Sequence, residues 1–541
     1  MKNKSMWYGF FFLALLSACK TDTATPQVNG QAETNAKQAQ EAFSRSKQYL
    51  EAWWMVRDSA SGLIPQNLTA EADIWNPHNS AADNQAFMVL TASLLDEDLY
   101  HGPMKEDLRR EVELTARILS LSDEFRFSTQ SFSRAEVDTS KIIFGASEYM
   151  KDGLMPLLEY IGASPWQERM LQMLDDLSGL VRVAKKIEGN YLGNAPIEEV
   201  NGELLQVLTR TYWMTGNEAY LDWAIDIGDY YLLGERDILQ FEKFRLRDHG
   251  CEIVGGLSEL YATVHFARPE KKEKYQTAYY KLLDRILEIG TNEHGMFYDE
   301  INLKSGEVIQ ERLVDGFGYL YNAYYTVYVI DHYQPYKQAV EAALDNLRLY
   351  TNFRWQAESA DGYADAIESA INLYNRLPKP ALAAWIDSEM LVMWSKQQEN
   401  GMIEAWHGDG NFARTSLMYG LMKTQGATIH PWKANVALGA VRSAQGLYVY
   451  ISADEGWKGT LKFESARHQS HLKMPLDYPR INQFPEWYPI QSDEQYEMMT
   501  EGKDSRKKVK GSQLIEGIKV DVPKGSAVRM VIKKIPENPP V

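Results

Sequence analysis

The chain has 541 residues, with 74 acidic side chains against 57 basic ones and a formal charge of −17. That length allows one large domain plus a smaller one, and the acidic excess argues against binding nucleic acid or another polyanion across the surface. Hydrophobic residues make up 45% of the chain, as a soluble globular body requires, and no long apolar run follows the first segment.

Lys2 and Lys4 precede an apolar run from Trp7 to Leu16, which ends in Leu16-Ser17-Ala18-Cys19. The run is too short to span a bilayer, so residues 1–18 read as a processing segment. Its last four residues resemble the lipobox of bacterial lipoproteins. The resemblance implies cleavage before Cys19, acylation there and a membrane anchor. Lys20 in place of Asp implies the outer membrane, facing the periplasm or the outside. Residues 19–38 are polar and expected to be a tether. With Cys19 lipidated, Cys251 has no partner for an intrachain disulfide.

From residue 39 to 425 the pattern is helical. Ala42–Arg57, Met170–Lys186, Gly202–Thr215, Glu218–Leu233, Ile253–Phe266, Lys271–Gly290, Tyr319–His332, Tyr336–Tyr350 and Ala381–Gln397 place apolar residues three and four apart. Turn residues such as Thr215-Gly216-Asn217 and Arg268-Pro269 separate them. Short-looped helices in succession predict antiparallel hairpins closing into an (α/α)6-7 toroid. Residues 426–541 change texture: Val436–Arg442, Leu447–Ser452, Thr460–Glu464, Leu514–Val522 and Ala527–Ile532 alternate, predicting an antiparallel β-sandwich. An aromatic stretch, His468–Met499, interrupts it and is expected to fold back on the helices. Glu501–Lys510 reads as a solvated loop.

Polar clusters precede one helix of successive hairpins: Trp75-Asn76-Pro77-His78-Asn79 with Asp83-Asn84, Gly193-Asn194 with Glu198-Glu199, Arg247–Glu252, Asp315–Tyr319, Asp361–Asp365 with Glu368, and His407–Asn411 with Arg414. In a toroid the inner helices begin on one rim, so these clusters would meet in one cavity. For Asp315, Asp361 and Asp409 taken singly, helix capping is the simpler explanation. His249 and Glu252, three apart, suit proton transfer. Asp361, Asp365 and Glu368 share a face, and their crowding should raise a pKa. Arg414 and Asn411 suit a sugar carboxylate or sulfate. His78 and Asn79, with His407, are further candidates, and Trp406 and Tyr363 are candidate stacking platforms. The 14 Trp and 31 Tyr favour a glycan ligand. No metal or cofactor is expected, since no His or Cys array, phosphate loop or dinucleotide fingerprint occurs.

The runs Asp248–Glu259, Asp361–Asp365 and Gly408–Arg414 resemble toroid-plus-sandwich polysaccharide-degrading enzymes of Bacteroidetes, in particular the ulvan oligosaccharide dehydratase type. That resemblance implies elimination of water from a terminal uronate of an anionic oligosaccharide, giving a 4,5-unsaturated sugar. Arg414 and Asn411 would hold the carboxylate, His249 oriented by Glu252 would be the base, and Tyr319 or His78 the acid. A lyase is favoured over a glycoside hydrolase of the same fold, which would use two of Asp315, Asp361, Asp365 and Glu368, or over an unsaturated-glucuronyl hydrolase. A non-catalytic glycan-binding lipoprotein is the remaining alternative. The chain is expected to be a monomer or homodimer.

Overall fold

The computed structural model describes residues 26–188, 197–234, 236–404, 406–502 and 506–536, with backbone alone for Pro26, 182–188, Asp248 and His249. Cys19, Gly193 and Asn194 lie outside the described residues. Among those described, no helix is long and apolar enough to cross a membrane.

The fold is mainly α: an (α/α) toroid followed by antiparallel sheets. The inner ring runs from Ala86–Leu95, entered through the π-helical Pro77–Gln85, to Thr139–Ile161, which passes through a π-helical stretch at Tyr149–Leu154. It continues through Ile197–Thr215, Cys251–Ala267, Phe317–Asp331, Ala360–Arg376 and Asn411–Thr424, which packs back on Ala86–Leu95. Inner helices are buried nearly all round; every residue from Phe412 to Thr424 is buried. Outer helices bury one stripe, as Tyr275, Tyr279, Leu282, Leu283 and Ile286 do on Pro269–Gly290. Proline marks the outer set: Pro103, Pro165, Pro269, Pro335 and Pro380 all sit in a first turn, where a missing N–H is harmless and the fixed φ is helical.

The N-terminal helix, Pro26–Met55, corrects the expected tether. Its second half is the outer partner of Asn411–Thr424, and its first half lies on the C-terminal sheet. Ala32 and Ala36 pack there against Ala437 and Tyr450, and Asn35 Nδ2 donates to the Ala440 carbonyl at 2.8 Å. Small alanines every fourth residue let the helix lie close to the strands, a use that its polar composition disguised.

The C-terminal region has an antiparallel five-stranded sheet, in the order Val436–Ser443, Gly446–Ala453, Ser526–Lys534, Gln495–Thr500, Lys507–Lys510. It faces a three-stranded sheet, Ile518–Val522, Trp457–Lys462, Thr428–His430, across a shared apolar core. Strict alternation sends Leu447, Val449, Ile451 and Ala453 into that core and Tyr450 toward the N-terminal helix. Two expectations change. Lys507–Lys510 is an edge strand rather than loop, its lysines suiting an exposed edge. Gly511–Glu516 is a short helix, so the strand begins only at Ile518. The aromatic stretch does fold back: Leu472, Met474, Tyr478, Ile481, Phe484 and Trp487 belong to the toroid's core.

Gly202 and Gly256 let two inner helices touch backbone to backbone. A Cβ on Gly202 would lie 2.3 Å from the Glu252 carbonyl carbon. Gly202→Ala should therefore lower stability by about 1–3 kcal/mol, measured by urea denaturation. Gly179→Ala, on an exposed outer helix with nothing within 4 Å, should raise it by about 0.5–1 kcal/mol.

Candidate functional site

A cavity of about 330 Å³ opens where the inner helices begin. It is lined by Asn79, Glu252, Asp315, Tyr319, Asp361, Asp365, Trp406, His407, Asn411 and Arg414, with His78 in one wall. Clusters more than 300 residues apart thus share one space. The His249 side chain lies outside the described residues; its neighbours Arg247 and Cys251 line the cavity. Tyr363 does not, because two residues beyond Asp361 a helix has turned to its other side. It is 2% exposed in the core, with Lys396 over its ring, and is no stacking platform. Trp406 lines the cavity, is 60% exposed and stands edge-on to His407.

Both terminal nitrogens of Arg414 are engaged by the protein. Nη1 donates to Asn411 Oδ1 at 2.8 Å and Asn482 Oδ1 at 2.7 Å, and Nη2 lies 2.8 Å from both Asp365 and Glu368. The Tyr319 hydroxyl is 2.9 Å from Asp365 Oδ1 and 2.8 Å from Glu368 Oε2. One phenolic proton serves one acceptor, so the second contact requires a protonated carboxyl. Asp365 meets that need: burial, then the charge of Asp361, pushes it well above the usual carboxylate range. Tyr319, also pushed up by burial and by Asp365, is locked in this network and is not a free acid. Glu368, fully buried, holds the backbone N–H of Asn482 at 2.7 Å and does not line the cavity.

Across the cavity, Lys151 Nζ lies 2.7 Å from Asp152 and 2.7 Å from Glu252, whose other oxygen accepts from Gln206 at 2.6 Å. Glu252 is thus held by Lys151 and Gln206, and burial pushes its carboxyl up to about 7. Asn482 Nδ2 donates to Asp152 at 2.5 Å, so one amide ties Asp152 to Arg414. Glu148, Asp152 and Glu203 bring carboxylate oxygens within 4.8 Å of one another. Burial first, then the charge of Glu203 for Glu148 and of Glu199 for Glu203, pushes both carboxyls well above their ordinary range. They read as carboxyls sharing protons, with Lys151 as the local cation.

Asp83 is the most exposed to chemistry. It lines the cavity and its nearest basic neighbour is His407 Nε2 at 3.7 Å. Burial, then the charges of Asp152 and Asp361, pushes its carboxyl well above the ordinary range. Asp361 stands in the first turn of its helix, taking Asn411 Nδ2 on Oδ1 at 2.8 Å. Ser359, not Asp361, caps that helix. His407 Nδ1 lies 2.8 Å from the Gly408 carbonyl, which fixes the ring so that Nε2 faces Asp83. Asp409 lies behind these groups, 1% exposed and outside the lining. Neither of its oxygens has a partner among the described residues, and burial pushes it to about 7.

Asp83, Glu148, Lys151, Asp152, Glu203 and Asn482 join the site without a helical-period signal. Asp83, Lys151 and Asp152 sit on π-helical turns, whose wider repeat breaks the three- and four-residue spacing. Asn482 arrives from beyond the toroid, in a left-handed turn (φ 58°) that asparagine tolerates.

No family model and no curated protein match this chain. Among solved structures it is similar to an inactive variant of the family 76 α-1,6-mannanase of Salegentibacter sp. HEL1_6 bound to α-1,6-mannotetrose. Identity there is 10% and the TM-score 0.41, over 70% of this chain and 98% of that one. It is also similar to cellobiose 2-epimerase from Bacillus thermoamylovorans B4167 (12%, TM-score 0.37, 51% and 86%). A possible member of glycoside hydrolase family 105 from Salmonella enterica gives 12%, TM-score 0.37, 58% and 93%. These are likenesses of fold. The family 76 structures are glycoside hydrolases, against the lyase expected from the sequence. The cavity lining also departs from that expectation. Nine carboxyl residues line it (Asp83, Glu148, Asp152, Glu199, Glu203, Glu252, Asp315, Asp361, Asp365) against Lys151, Arg247 and Arg414, a poor setting for a uronate.

Arg414→Met would leave Asp365 and Glu368 without their cation and should cost about 3–5 kcal/mol; adding Asp365→Asn and Glu368→Gln should recover much of it in urea denaturation. Asp409 has a folded pKa raised to about 7, so its contribution is full below the ordinary aspartate pKa of about 4 and is lost progressively as pH rises to the folded value. Asp409→Asn should flatten the fall in melting temperature between about pH 4 and about pH 7.

Proposed function

We propose that the protein is a glycoside hydrolase acting on an oligosaccharide whose reacting ring is neutral, with Asp83 as general acid and Asp361 as the carboxylate base. The observation that carries this is the pairing of a carboxyl held protonated, Asp83, with a second carboxylate whose charge helps keep it so. Environments that push two carboxyls apart define acid and base roles. Asn411 occupies one oxygen of Asp361 and leaves the other for a water or the anomeric carbon. Asp83 gives its proton to the glycosidic oxygen as the bond to the anomeric carbon breaks; Asp361 takes the proton of the attacking water or forms the bond itself. Trp406 offers a ring face at the mouth, and Asn79 Nδ2, without a partner among the described residues, offers a donor inside. The lipobox-like Leu16–Cys19, on this reading, tethers the enzyme to the outer membrane.

Asp83→Asn and Asp361→Asn should each lower kcat by about 10²–10⁴-fold in reducing-end release from a panel of neutral oligosaccharides, with unchanged circular dichroism. The acid must be protonated, and its pKa is raised. Activity should therefore extend to higher pH than an ordinary aspartic acid allows, then fall as pH rises. New ultraviolet absorbance from a uronate oligosaccharide, without new reducing ends, would contradict the proposal.

A further inference from the structure

A second cavity, about 350 Å³, lies outside the helix ring and shares His78 and Phe144 with the first. The two rings stand 5.7 Å apart, centre to centre, and form a partition with open space on either side. Its other walls come from Gln66 and Glu71 in the loop after the N-terminal helix, and from residues 122–134 around the small sheet. We infer that this annexe is a further sugar-binding subsite, taking the neutral ring next to the one held in the first cavity. The inference rests on the hydrolase reading and adds that the substrate is recognised over more than one ring.

The chemistry of the walls fits a polyhydroxylated ring. No ring nitrogen of His78 has a hydrogen bond among the described residues, and burial, together with the nearby cations, pulls its pKa down to about 4. A neutral imidazole presents one donor and one acceptor, the complement of a hydroxyl, which is both. Phe144 adds an apolar face. Lys141 has no ion pair among the described residues. Arg134 reaches Asp123 and Asp138 at 3.8 Å and Glu124 at 3.9 Å, all beyond hydrogen-bond distance, so its donors can turn to a ligand. Glu71, Asp123 and Glu124 supply acceptors. Three carboxylates against two cations disfavour an anionic substituent. Each cavity falls at the small end of ligand sites, about 300–1,000 Å³, so the pair suits successive rings.

The test is titration calorimetry on the full chain carrying Asp83→Asn, to stop turnover, with mono-, di-, tri- and tetrasaccharides of mannose, glucose and galactose. Lys141→Ala and Lys141→Trp are compared in that background; Lys141 is exposed, and melting curves verify folding. For at least one sugar, a tri- or tetrasaccharide should bind at least about tenfold tighter than the monosaccharide (a tenfold step being about 1.4 kcal/mol). Lys141→Trp, filling the annexe, should abolish that gain and leave monosaccharide affinity unchanged, with Lys141→Ala intermediate. If the gain survives Lys141→Trp, or affinity does not grow with chain length, the annexe is not a subsite although the hydrolase reading stands. If no sugar binds the parent at any length, the hydrolase reading falls and the annexe with it.

Discussion

Confining many carboxyls to a small, partly dehydrated space governs this molecule. Burial disfavours each charge, and each ionised neighbour disfavours the next. The fold answers in two ways. Where a cation is available it is shared among carboxyls: Arg414 holds Glu368 and also reaches Asp365, and Lys151 holds Asp152 and Glu252. Where no cation forms a close ion pair among the described residues, burial and neighbouring charge push the carboxyl well above its ordinary range, as at Asp83, Glu148 and Glu203. An array of that kind favours protonated carboxyls beside ionised ones, the arrangement on which the proposed acid and base roles rest.

The cavity belongs to both halves of the chain. Asn482 comes from the segment after the first strands of the C-terminal region, yet it bonds Arg414, Asp152 and Glu368. Apolar side chains of the same segment pack into the toroid core, and Glu464 fixes its ends by accepting from Arg467 and from the backbone of Trp487 and Tyr488. The N-terminal helix completes the tie. It closes the outer ring against Asn411–Thr424 and lies on the five-stranded sheet, where Gly439 admits it: a Cβ there would be 2.3 Å from the Ala32 carbonyl oxygen. Separating the two regions would therefore remove part of the cavity floor.

The toroid was legible because inner and outer helices differ in ways a sequence displays, namely proline at outer starts and apolar residues at three- and four-residue spacing. The meeting of His78, Glu252, Tyr319, Asp361 and Arg414 was legible because inner helices begin on one rim. What escaped did so for physical reasons. The π-helical turn that carries Lys151 and Asp152 has no period to detect, and Asp83, on another, was visible only as a member of the His78 cluster. Ala32 and Ala36 are polar in company but buried in place. Spacing put Arg414 and Asn411 on one face, but it could not show that Asp365, Glu368 and Asn482 would engage the terminal nitrogens of the guanidinium. Elimination was favoured from resemblance; the acidic lining, visible only once the clusters are folded together, disfavours the uronate that elimination requires.

The central claim is that carboxyls in the cavity are protonated at neutral pH and that Asp83 is one of them. Infrared difference spectroscopy reads this directly, through the carbonyl stretch of un-ionised carboxylic acids and its loss on substitution. At neutral pH the spectrum should show that band, and subtracting the spectrum of Asp83→Asn should reveal one carboxylic acid fewer, with no change in the carboxylate bands. A neutral-pH spectrum without the band, or a difference appearing only in the carboxylate region, would mean that Asp83 is ionised and has no proton to give.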